Sequence, residues 1–180
     1  MNYFYGLSAT IIGVAIVVMI PNPIATAELN QQAIANIAQE VTVIIDGQNP
    51  GSGVIIDKEG NSYSVLTAQH VVPRQDEYEV VTSDQKRYLL DYSKVKLLPD
   101  VDLAILEFNS RENYPVAKLG DSDQVSLGKT VYVAGWPHPE APITESIFTF
   151  AGGNIAARPP RPLPAGYQLI YTNITRSGSF

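Results

Sequence analysis

The chain has 180 residues and no cysteine. Disulfide bridges and thiolate zinc sites are therefore excluded, and stability has to come from the core or from partners. Basic residues are also few. Lys and Arg number 12 against 18 Asp and Glu, a formal net charge of −6. Phosphate contacts dominate affinity for nucleic acids, so an acidic chain without a basic stripe argues against that class of partner. The histidines are two, His70 and His138. They lie far apart in sequence and suggest no metal site, and no cofactor is implied. One long apolar run is present, Leu7 to Ile20.

That run has the length of a signal-peptide core and is short for a membrane span. Pro21, Asn22 and Pro23 break it, and Ala25-Thr26-Ala27 fits a small-x-small cleavage site. Residues 1–27 are predicted to be a signal peptide cleaved after Ala27. This predicts an exported protein, periplasmic or extracellular, with no stable membrane partner after cleavage. Met1 to Gly6 contains no Lys or Arg, so the alternative is an uncleaved membrane anchor. Residues 1–27 contain no Asp, Glu, Lys, Arg or His, and the mature chain keeps the whole formal charge.

Leu29, Ala33, Ile34, Ile37 and Ala38 recur at helical spacing, which predicts a short amphipathic helix over residues 28–40. From Val41 onward, short β-rich runs alternate with turn signals, the texture of an all-β barrel or sandwich. The predicted strands are Val41–Ile45, Gly53–Asp57, Ser62–Ala68, Glu77–Thr82, Tyr88–Asp91, Ser93–Leu98, Leu103–Phe108, Thr130–Gly135, Ile143–Gly152 and Tyr167–Asn173. Asp46-Gly47, Lys58 to Asn61, Ser83-Asp84 and Leu127-Gly128 supply turns. The polar stretch Asn109–Asn113 could join two lobes. Arg158 to Pro164 is proline-rich and reads as a stiff surface loop, or as an extended partner-binding segment. Asn173-Ile174-Thr175 matches a glycosylation acceptor and is read as a chance match.

Two polar residues interrupt strand ends in a way that suggests chemistry. His70 lies in Thr67-Ala68-Gln69-His70-Val71-Val72, where a strand leaves its sheet. Asp102 lies in Val101-Asp102-Leu103-Ala104-Ile105-Leu106, after the irregular Leu98-Pro99-Asp100 and before an apolar strand. A nucleophilic hydrolase needs a base to take a hydroxyl proton, and a carboxylate to orient that base and stabilise its imidazolium form. Alone, either residue reads more readily as structural. Together, with Gly51-Ser52-Gly53 before them and Gly135-Trp136-Pro137 after them, they are much more specific. His138 fits no such pattern and reads as a loop residue.

In these segments, with Gly120-Asp121-Ser122-Asp123, Val131 to Pro137 and Tyr171 to Gly178, the chain resembles the trypsin-like serine peptidases. The likeness is to their bacterial HtrA-type and cyanobacterial exported branches, and it covers about Val41 to Gly178. The resemblance implies an all-β, chymotrypsin-like double β-barrel, here with the first lobe at 41–112 and a partial second lobe at 113–180. It implies hydrolysis of peptide bonds in peptide or protein substrates, with His70 and Asp102 as catalytic residues. The family's nucleophile motif is Gly-x-Ser-Gly-Gly. Gly178 takes its first glycine and approaches the oxyanion loop. Ser179 then falls on the x position and Phe180 on the nucleophile, while Ser177 precedes the glycine. The sequence is thus expected to be a truncated peptidase, inactive as given, whose second lobe leaves open strand edges and an uncovered apolar face. The alternative is an exported non-catalytic protein that binds extended peptides by strand addition.

Overall fold

The computed structural model describes residues 30–137, 146–161 and 169–172. The expected signal peptide with Ala27, His138, the segment Pro162 to Pro164, the Asn173 acceptor, Ser177, Gly178, Ser179 and Phe180 lie outside the described residues.

The helix expected near the start is α1 (Gln31–Val41). Asn30 caps it, its side chain accepting from the Ala33 N–H at 2.8 Å. This satisfies one of the amide groups that every helix start leaves without an internal partner. At the other end Thr42 Oγ1 donates to the Ala38 carbonyl at 2.6 Å, and the chain passes directly into a strand. The apolar stripe is only partly covered: Val41 is buried, while Ile37 is 48% exposed.

Among the described residues the strands form a sheet of seven and a sheet of three. The first sheet comprises β1 (Thr42–Asp46), β2 (Gly51–Glu59), β3 (Ser62–Thr67), β4 (Glu79–Val81), β5 (Arg87–Leu89), β6 (Lys96–Leu97) and β7 (Ala104–Asn109). Their spatial order is β5-β4-β1-β2-β3-β7-β6. Alternation of side chains builds the interior. Tyr63, Val65 and Thr67 of β3 are buried, as are Ala104, Leu106 and Phe108 of β7. The antiparallel register sets Tyr63 opposite Phe108, Val65 opposite Leu106 and Thr67 opposite Ala104, so both inward sets meet on one face. The sheet curls until β5 approaches β7, where the Tyr88 ring lies 4.8 Å from that of Phe108. The extra residue in β2 between Ile55 and Asp57 is a bulge, a device that adds local twist.

An aromatic and polar network closes this lobe. Tyr88 Oη is 2.7 Å from Tyr114 Oη and 2.9 Å from Ser110 Oγ. Tyr114 Oη donates to Asp84 Oδ1 at 3.1 Å, and Thr82 Oγ1 donates to the same oxygen at 2.6 Å. Tyr63 Oη donates to the Glu112 carbonyl at 2.7 Å and accepts from the Tyr114 N–H at 3.2 Å. Burial pushes the Tyr114 phenol up. Partial burial would also raise the Asp84 carboxyl, but the hydrogen bonds from Thr82, Tyr114 and Lys86 outweigh it and hold the group below its ordinary range. The network pins residues 110–114 to the barrel, and the Ala117 N–H continues the path by donating to the Ile55 carbonyl at 2.8 Å.

The second sheet is β8 (Thr130–Gly135), β9 (Thr149–Ala157) and β10 (Ile170–Thr172), in the order β10-β9-β8. Tyr132 and Phe150 stack on it with centroids 4.9 Å apart. Ala38 and Val41 of α1 face Val131, Val133 and Ile155 of this sheet across a cavity of about 430 Å³.

Two expected strands are corrected. Ser93–Leu98 is a 3₁₀ turn at Tyr92–Lys94 followed by the two-residue β6. Asp91 causes the change, because its Oδ1 accepts from both the N–H and the hydroxyl of Ser93 and folds the chain back. Of the strand expected at Ile143–Gly152, residues 143–145 lie outside the described residues, and the strand itself is β9, which begins at Thr149 and continues through Gly152 and Gly153 to Ala157.

Candidate active site

His70 and Asp102 owe their meeting to the ladder between β3 and β7. Thr67 and Ala104 are its last pair in one direction, so residues just after β3 and just before β7 emerge at the same end of the sheet. His70 sits in the 3₁₀ turn Gln69–Val71, fixed by the Val71 N–H to the Ala68 carbonyl at 3.1 Å. Asp102 sits in the loop before β7. There Asp100 takes a φ of 63°, and the Leu98 N–H donates to the Leu103 carbonyl at 2.9 Å.

The carboxylate grips the histidine at two points. Asp102 Oδ2 is 2.7 Å from His70 Nδ1, and Oδ1 accepts from the His70 backbone N–H at 3.1 Å. An ionised carboxylate only accepts, so Nδ1 carries the proton and Nε2 is the basic nitrogen. The His70 side chain is 56% exposed and that of Asp102 27%. The imidazole therefore faces solvent while the carboxylate lies behind it. Partial burial alone would raise the Asp102 carboxyl. The bonds from the His70 ring and backbone, the His70 charge and the Gln69 backbone N–H outweigh it and hold the carboxyl below its usual range.

The sign of the pH effect follows. A carboxyl depressed in the folded state adds stability that is fully present above its unfolded value of about 4 and is lost as pH falls through the folded value. The wild-type protein is therefore expected to lose stability in urea below about pH 4. Asp102→Asn should shrink that loss. An equally steep acid decline in the variant would show that Asp102 does not contribute.

Gly51 belongs to the site through packing. A β-carbon built on it would lie 2.6 Å from Val71 Cγ2, so any side chain there would force Val71, in the histidine turn, to move. Sequence reasoning noted the Gly51-Ser52-Gly53 segment but missed what Ser52 does. Its hydroxyl accepts from the Trp136 N–H at 2.7 Å and donates to the Trp136 carbonyl at 3.2 Å, joining the two sheets. The available signal was a small polar residue between glycines in an otherwise apolar strand. Among the described residues, no group of three His, Cys, Asp or Glu side chains is placed to hold a metal ion.

A histidine and a carboxylate so arranged, at one end of a curled antiparallel sheet, have the geometry in which a carboxylate orients an imidazole and fixes its tautomer. Residues 51–179 match the family model described as the trypsin-like peptidase domain. The chain belongs to the trypsin-like peptidase family. Among curated relatives, a probable periplasmic serine endoprotease DegP-like of Pseudomonas putida strain GB-1 is 38% identical over 92 residues, covering 51% of this chain and 18% of that protein. The human serine protease HTRA4 is 33% identical over 87 residues, covering 48% and 17%. The chain thus spans about a fifth of the length of these relatives. A solved HtrA-type protease with a tripeptide superimposes with a TM-score of 0.59 at 24% identity, over 76% of this chain and 43% of that one. This likeness shows the fold: chymotrypsin-like, with a first curled sheet and, among the described residues, three strands of the second lobe.

Proposed function

We propose that this trypsin-like peptidase chain supplies the base and the orienting carboxylate of an exported serine endopeptidase acting on proteins or peptides. The two-point contact between Asp102 and His70 carries this reading. In peptide-bond hydrolysis His70 Nε2 would take the proton of a serine hydroxyl as its oxygen attacks the carbonyl carbon. Asp102 would stabilise the resulting imidazolium, and the proton would pass to the leaving amine. Export, cleavage after Ala27 and the lobe boundary near residue 113 belong to the same proposal. The names of the DegP-like relatives, which call them periplasmic, support export.

Residues 1–180 place Phe180 where the family motif has its serine. We therefore propose that this polypeptide by itself does not hydrolyse peptide bonds. The test exposes the 180-residue protein to a fluorophosphonate probe and to unfolded casein. Neither labelling nor cleavage is expected. Labelling of Ser177 or Ser179 would overturn the placement of Phe180.

The second reading is a binding protein for extended peptides. It is favoured by β10, which is paired on one side only among the described residues and exposes Ile170 and Tyr171. Saturable binding of an extended peptide without cleavage would support it.

A further inference from the structure

Ser52 stands where the two sheets meet. It is 1% exposed and lies in β2 between two glycines. Its hydroxyl satisfies both backbone groups of Trp136, the residue that follows β8. One side chain thus replaces two backbone hydrogen bonds that strand pairing would otherwise provide. The Ser52 main chain is held from the other direction. Its carbonyl accepts from Thr67 Oγ1 at 2.7 Å, and its neighbour Gly51 packs directly on Val71. Thr67 closes β3 just ahead of the histidine turn, and Val71 is the residue after His70. Ser52 and its neighbour Gly51 therefore bear on the two sides of that turn, and Ser52 also bears on the second sheet.

We propose that Ser52 is a positioning residue for His70, coupling the docking of the second sheet to the orientation of the imidazole. The proposal rests on the reading of His70 as the base. Without the hydroxyl, the Trp136 backbone groups lose buried partners and β8 has less reason to stay against β2. The Gly51-Ser52-Gly53 segment then loses the brace that presses it on Val71, and the turn carrying His70 loosens against Asp102.

The molecule contains its own reporter. Trp136 is the sole tryptophan, its ring packs on Phe148 at 5.4 Å, and its buried indole Nε1 has no hydrogen-bond partner among the described residues. Its emission reads the junction directly. The second reporter is the Nδ1 proton of His70, which resonates far downfield in NMR spectra when a carboxylate accepts it.

Both are read in the full 180-residue chain. Ser52→Ala is expected to shift Trp136 emission to the red and to speed exchange of the downfield proton with water about tenfold, the change that follows from losing one net hydrogen bond. Ser52→Thr keeps the hydroxyl and should restore both signals. Thr82→Val deletes a buried hydroxyl from the tyrosine network instead, and should change neither. A red shift with the downfield proton unaltered would overturn the proposal, since Ser52 would then only hold the sheets together. So would a Thr variant that behaves like the Ala variant, or a Thr82→Val variant that moves the proton equally. Asp102→Asn tests the underlying reading separately. If the downfield proton survives in that variant, it does not arise from the His70–Asp102 pair, and the base assignment fails whatever Ser52 does.

Discussion

Asp102→Asn should lower kcat for peptide hydrolysis by about 10⁴-fold in a protein that carries the His70–Asp102 pair together with the family's Gly-x-Ser-Gly-Gly segment. The reason lies in the two oxygens. Oδ1 accepts from the His70 backbone N–H and Oδ2 faces the ring nitrogen. Asparagine offers one acceptor and one donor group. The backbone N–H has no alternative tautomer, so it claims the amide oxygen. The NH₂ group then faces Nδ1 and forces it to accept, which moves the ring proton to Nε2. The nitrogen that has to take the hydroxyl proton is then already occupied. Fold and substrate binding should survive, because the shape of the side chain is kept. Casein hydrolysis with matched circular dichroism spectra measures this. A variant retaining more than a tenth of the activity would remove Asp102 from the mechanism.

Phe108→Ala should destabilise the protein by about 3–5 kcal/mol. Phe108 is 1% exposed. Its ring stacks on Tyr63 at 5.1 Å, meets Tyr88 at 4.8 Å and Tyr114 at 6.1 Å. Removing it empties a space whose walls are held in place by hydrogen bonds among the tyrosine hydroxyls, so the site has little freedom to collapse. The loss reaches beyond packing, since Tyr88 is also the point where β5 closes on β7. Urea unfolding followed by circular dichroism gives the value. A loss below about 1.5 kcal/mol, the scale of a tolerated volume-conserving swap, would show that the tyrosines repack and that the network is less rigid than its hydrogen bonds imply.

The sequence made the first lobe legible where burial is one-sided. Tyr63-x-Val65-x-Thr67 and Ala104-x-Leu106-x-Phe108 alternate cleanly, and the strands form where that alternation places them. The same periodicity located His70 and Asp102 at strand ends. It could not show that they share one end of one ladder, which depends on register. Side-chain to backbone bonds were less legible. Asp91 turned an apparent strand into a 3₁₀ turn, and the Ser52 link to Trp136 joins residues 84 positions apart. Gly152 reads as the end of a strand and, with Gly153, lies inside β9. Gly152 is opposite Tyr132, whose ring covers it closely: a β-carbon there would be 3.2 Å from Tyr132 Cε1. The missing side chain makes room for an aromatic ring across the strand, and nothing local to the glycines announces that.

The clamp that fixes residues 110–114 has a consequence for biosynthesis. Every strand of the seven-stranded sheet ends by Asn109, and the last backbone bond tying the following segment to it comes from Ala117. Chains emerge from the ribosome, or across a membrane, in order, and lobes tend to fold as units in that order. Among the described residues, the seven-stranded sheet therefore has its strands, its closing network and both members of the His70–Asp102 pair before β8 has been delivered. The histidine turn and its carboxylate partner are thus built first, and the later strands, docking through Ser52, complete the setting of the imidazole on a platform already in place.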